Sequence, residues 1–214
     1  MVAIDSDIGA GSQPILNVKV PMSGMAAAAA ILVALAGMVL HGFNDAGLRL
    51  ASEWSWRFAS FVFVAAAMTG PLCRLLPFAG AEVLGAIRRQ MIWSFCACYG
   101  VFLAVMLLPN ALGGVTHDDL TAGMTIFSLF GGFIVAALAY ATSLDAVKLL
   151  GEPARRAVMT VAGAFFWLTY ALTGLAHISG PHRPDAFYGI SLSLMIGVLL
   201  LRFADGFTAK LRTH

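Results

Sequence analysis

Residues 25–43 read MAAAAAILVALAGMVLHGF, an apolar run whose only ionisable side chain is His41. A helix rises 1.5 Å per residue, and the hydrocarbon layer of a bilayer is about 30 Å thick, so about 20 mostly apolar residues suffice to cross it. This stretch has that length. Five more stretches of the same kind follow, at 56–75, 91–108, 121–141, 157–178 and 187–203. Turn residues separate them: Asn44-Asp45 and Gly47, Pro77 and Gly80, Pro109-Asn110 with Gly113-Gly114, Gly151-Glu152-Pro153, and Gly180-Pro181 with Pro184. The reading is an all-α integral membrane bundle of six transmembrane helices. Residues 25–204 form the membrane domain, with short tails at 1–24 and 205–214.

Composition agrees. Of 214 residues, 60% are hydrophobic and 11% charged, and the mean hydropathy is +0.86. A soluble domain carries roughly 25% charged residues, and a disordered chain needs low hydrophobicity, so both classes are excluded. The net charge of +2 comes with no basic block of the kind that binds nucleic acid. Cys73, Cys96 and Cys98 form no CxxC pair, which argues against a disulfide framework or zinc knuckle. The segment before the first span carries Asp5 and Asp7, a poor start for a signal peptide. Its small triplet Ala34-Leu35-Ala36 lies inside the apolar run. The first segment is therefore read as a retained helix.

Lys and Arg set the orientation. The amino-terminal tail, the even connections and the carboxy-terminal segment hold Lys19, Arg74, Arg88, Arg89, Lys148, Arg155, Arg156, Arg202, Lys210 and Arg212. The odd connections hold only Arg49, Arg57 and Arg183. Both termini are expected in the cytoplasm, in a plasma or inner membrane. Trp54 and Trp56 are expected at the outer interface and Trp93 at the inner one, as an aromatic belt.

No Asp, Glu, Lys or Arg falls at the centre of a span; Arg57, Asp145 and Arg202 lie at helix ends, where they can snorkel. Ion pumps and proton-coupled transporters need central ionisable groups, and no broken-helix Gly/Pro pair recurs in the two halves as inverted-repeat transport would require. Both transport readings lose support. Histidines remain. On this topology His41, His117, His177 and His182 all fall on the outer side. His41 and His177, at similar depth on two helices, are candidate cofactor-binding and metal ligands for one b-type haem, since imidazole is a common axial ligand. The plainer reading of each is an interfacial histidine bonded to water or backbone. Gly131-Gly132 with Ala136 and Ala137, and the Ala26–Ala30 run, read as small residues permitting close helix approach. Tyr99, Trp167 and Tyr170 read as packing residues before pocket residues, and Cys96 and Cys98 as inert buried thiols.

Three stretches carry a resemblance. They are Trp56-Arg57-Phe58 with Thr69-Gly70-Pro71-Leu72-Cys73-Arg74-Leu75 and Arg88-Arg89; Thr142-Ser143 with Leu150-Gly151; and the run from Tyr188 through Leu201-Arg202. Over about residues 50–204 the chain resembles the ferric-reductase-like transmembrane family, and most closely its branch of haem-binding membrane subunits that feed a periplasmic methionine sulfoxide reductase. Gly70 stands inserted before the proline of the family's pattern. The resemblance implies six helices, b-type haem held by one histidine on helix 3 and two on helix 5, and electron transfer from a quinol or flavoprotein to an outer acceptor. This chain departs at the ligands. The helix 3 position is Phe102 or Leu103. The inner helix 5 position falls at Val158, Met159 or Ala164, and the outer one matches His177 only with a five- or six-residue shift, being near Leu172 otherwise. Two functions follow. One is a redox-associated electron-transfer subunit, not a stand-alone enzyme, with at most one outer haem on His177 and His41 and a redox partner protein. The other is a haemless membrane scaffold or partner-binding subunit of a larger complex. Helices 2 to 5 are expected to form the core.

Overall fold

The computed structural model describes residues 22–75, 80–111, 119–179 and 186–211. Six α-helices account for them: α1 (Met22–His41), α2 (Asp45–Leu75), α3 (Gly80–Ala111), α4 (Asp119–Ala141), α5 (Leu144–Ser179) and α6 (Ala186–Leu211). No strand occurs among the described residues. Five helices are long and apolar enough to cross a membrane; the described apolar run of α4 is the shorter Thr125–Ala141.

Helix ends follow local chemistry. Gly42, at φ 84°, ends α1 in the left-handed region that costs glycine little. Asn44 then caps α2, its Oδ1 accepting the Gly47 N–H at 3.0 Å. The cap explains why α2 begins at Asp45 and not near the expected Trp56. Ser143 accepts the Ala146 N–H at 3.2 Å and caps α5. Inside α5, Gly151 takes φ 71° and ψ 160° and breaks the helix in two. The chain restarts there with Glu152 and Pro153. The Glu152 carboxylate accepts hydrogen bonds from Arg155 at 2.9 Å and Arg156 at 2.8 Å. The expected punctuation at Gly151-Glu152-Pro153 is thus a kink within one long element.

Helices α2, α3, α4, α5 and α6 form a closed ring in which each packs on the next and α6 returns to α2. Helix α1 stands outside it, on the seam between α2 and α3. The expectation that helices 2 to 5 make the core needs α6 added, because α6 closes the ring. The α1 seam is tight. A Cβ on Gly37 would lie 2.9 Å from the Ala51 Cα, and Ala30, Ala59 and Cys98 meet there fully buried. The alanine run serves close approach, as its composition suggests.

The ring is filled by aromatic rings. Phe63 of α2, Phe95, Tyr99 and Phe102 of α3, and Phe166 and Tyr170 of α5 share one buried cluster, completed by Val135 and Leu138 of α4 and by Met195 and Val198 of α6. Their centroids lie at separations such as 4.9 Å for Phe95–Phe166 and 5.2 Å for Tyr99–Phe166, edge to face, the arrangement favoured by ring quadrupoles. Trp56 belongs to this cluster, 4.4 Å from Tyr170 and 5.1 Å from Phe102. Because α2 starts at Asp45, Trp56 lies about 16 Å along the helix.

Candidate functional site

Helices alternate in direction, so one end of the bundle gathers the close of α1, α3 and α5 with the opening of α2, α4 and α6. Both candidate histidines lie at this end. His41 closes α1 and is exposed; His177 lies in the last turn of α5 and is exposed. The structure does not bring them together. Helix α1 touches α2 and α3, while α5 packs mainly on α4 and α6, so α2 and α3 stand between the two histidines. A haem bridging both would have to span that seam, where Ala51, Ala34 and Met38 are packed. The pairing of His41 with His177 therefore does not fit a shared haem. Among the described residues no group of three His, Cys, Asp or Glu is placed to hold a metal. His117 and His182 lie outside the described residues.

His177 has other neighbours. Its ring stacks on Tyr188 of α6 at 3.9 Å with 15° between planes, and its Nδ1 lies 2.8 Å from the Thr173 carbonyl oxygen. The Arg57 guanidinium lies over the rings of Phe187 and Tyr188, at 4.8 and 5.1 Å, and pairs with Glu53 one turn earlier on α2. A cation on aromatic faces next to a stacked imidazole ties α2, α5 and α6 together at this end. The other positions to which the family resemblance pointed are apolar here. Phe102 is buried in the aromatic cluster, and Leu103 packs beside it, against Gly132. On the lipid side of α5, Leu172 is exposed.

The opposite end holds a cavity of about 340 Å³ between α2, α3, α5 and α6. Its floor includes Phe63, Phe95 and Leu138, all buried, and Met159 lines it as well. Among the described residues its mouth carries three arginines, Arg74, Arg88 and Arg202, and one acid, Asp205. Arg74 Nε donates to both carboxylate oxygens of Asp205, at 2.8 and 2.9 Å, an α2–α6 clamp. Arg88 and Arg202 have no acidic partner among the described residues. Each lies against a glycine of a neighbouring helix. A Cβ on Gly70 would meet the Arg88 Cζ at 3.5 Å, and one on Gly163 the Arg202 Nη2 at 3.4 Å. In the sequence these arginines read as topology markers, snorkelling ends and parts of the family-like stretches, not as the lining of one cavity. The signal available was that Arg74, Arg88 and Arg202 fall on one side of the membrane. That α2, α3 and α6 are neighbours is not written in hydropathy.

The chain is an integral, multi-pass, all-α membrane protein, with apolar helices of spanning length. No family model, curated protein or solved structure matches it.

Proposed function

We propose that the chain is a haemless membrane subunit of ferric-reductase-like type, a scaffold that holds a partner within the bilayer and does not carry electrons. The filling of the ring supports this reading. The space between α2, α3 and α5, where a planar cofactor would need an open slot, is packed with Phe95, Phe102, Phe166 and Tyr170. Among the described residues the one histidine near the ring, His177, is stacked on Tyr188. A pyridine haemochrome spectrum of the purified full chain tests it. The expected result is no stoichiometric b-type haem. A stoichiometric haem that His177→Ala abolishes overturns the scaffold reading and restores the electron-transfer one.

In the same reading both termini face the cytoplasm and the membrane is the inner or plasma membrane, on the strength of the Lys/Arg asymmetry. A reporter fused after His214 that is active only outside the cytoplasm is expected to be silent. Activity of that fusion reverses the topology.

A further inference from the structure

We propose that the arginine-lined cavity between α2, α3, α5 and α6 binds a phosphate group, carried by a lipid or by a phosphorylated solute. Among the described lining residues three cations face one cavity, and the one acid is taken by Arg74. That leaves Arg88 and Arg202 as two guanidinium groups sharing a mouth with no described counter-charge. Like charges repel at short range, more strongly beside a low-dielectric floor than in water. An anion between them offsets that repulsion.

The geometry favours phosphate. Guanidinium is a planar fork that matches phosphate oxygens two at a time. Gly70 and Gly163 leave room for the forks to lie against the neighbouring helices, where a longer side chain would push them outward. Asp205 holds Arg74 from one side and so presents it in a fixed pose. Beneath this polar rim the lining becomes apolar, through Ala67 and Ile92 to Phe63 and Phe95. The cavity, at about 340 Å³, lies at the low end of the roughly 300–1,000 Å³ range of small-molecule sites. It suits a phosphorylated head with a few carbons behind it, not a whole lipid. A few carbons on an apolar floor and a phosphate on the arginines define one amphiphilic ligand.

The test uses the full chain in neutral detergent, with binding followed by native mass spectrometry and by the shift in thermal unfolding. The probes are dioctanoyl phosphatidic acid, dioctanoyl phosphatidylcholine and inorganic phosphate. The phosphatidic acid is expected to bind and stabilise, and the choline lipid to do so much less. The paired substitution Arg88→Gln with Arg202→Gln should weaken binding on the order of tenfold for each charge-assisted hydrogen bond it removes. Arg88→Lys with Arg202→Lys keeps the charges but not the forks and should fall between. Arg89→Gln removes a charge from the same end of the bundle without touching the cavity, and should change affinity less than about twofold. If inorganic phosphate binds as tightly as the lipid, the ligand is a phosphorylated solute; if only the lipid binds, it is a headgroup. Binding that Arg89→Gln weakens as much as the paired substitution, or wild-type binding no tighter than the paired variant's, overturns the proposal.

Discussion

Replacing Phe166 with alanine lowers the thermal unfolding midpoint of the detergent-solubilised protein more than any other single truncation in the cluster. Phe166 is 0% exposed and its ring meets Phe63, Phe95, Tyr99, Phe165 and Tyr170. In aqueous cores such a truncation costs about 3–5 kcal/mol. Within a bilayer the transfer part shrinks, since lipid tails are as apolar as the ring. The forfeited dispersion attraction and the cavity remain, because the surrounding rings are rigid and close in poorly. The expected loss is about 2–4 kcal/mol. Leu168→Ala, two residues on and 52% exposed, should cost within about 0.5 kcal/mol. Equal losses for the two would mean that the centre of the ring is not filled by Phe166.

Gly131→Ala is expected to destabilise the α3–α4 packing by about 1–3 kcal/mol, the range for overpacking. The added Cβ would stand 2.1 Å from the Tyr99 hydroxyl oxygen and 3.0 Å from its Cζ. Tyr99 is almost wholly buried. Its hydroxyl donates to the Ser128 carbonyl at 3.3 Å, so the ring has no empty direction in which to retreat. Tyr99→Phe removes the nearest atom, and the double substitution should recover most of the loss. A double-mutant cycle in denaturant isolates the pair. Strict additivity would show that Tyr99 and Gly131 do not meet, and would put the α3–α4 register in doubt.

Length and hydropathy made the class and the number of helices legible, since spans depend only on local composition. The 25–43 run, the small pair Gly131-Gly132 and the Gly151 break were readable for the same reason: each is a property of a few neighbouring residues. Which helices touch was not. Nothing in the spacing of His41 and His177 tells that α1 lies outside the ring while α5 is part of it. Both lie in the last turns of their helices, and that says nothing about azimuth. The start of α2 was missed because Asn44, Asp45 and Gly47 read as turn residues, whereas the Asn44 cap begins the helix about three turns before Trp56. The arginine cavity was missed because Arg88 meets Gly70 and Arg202 meets Gly163 only across helix pairs, and a single sequence carries no record of such pairs.

The closure of α6 onto α2 also has a consequence for biosynthesis. Helices enter the membrane in order, and α1, α2 and α3 can settle against one another as soon as they emerge. Until α6 arrives the remaining helices make an open horseshoe, and Arg74 of α2 lacks its Asp205 clamp. The last of the six helices to be made is therefore the one that seals the assembly. Ribosomal stalling or chain cleavage ahead of Ala186 leaves a species whose polar mouth opens sideways into hydrocarbon, the kind of half-built bundle that membrane quality control removes.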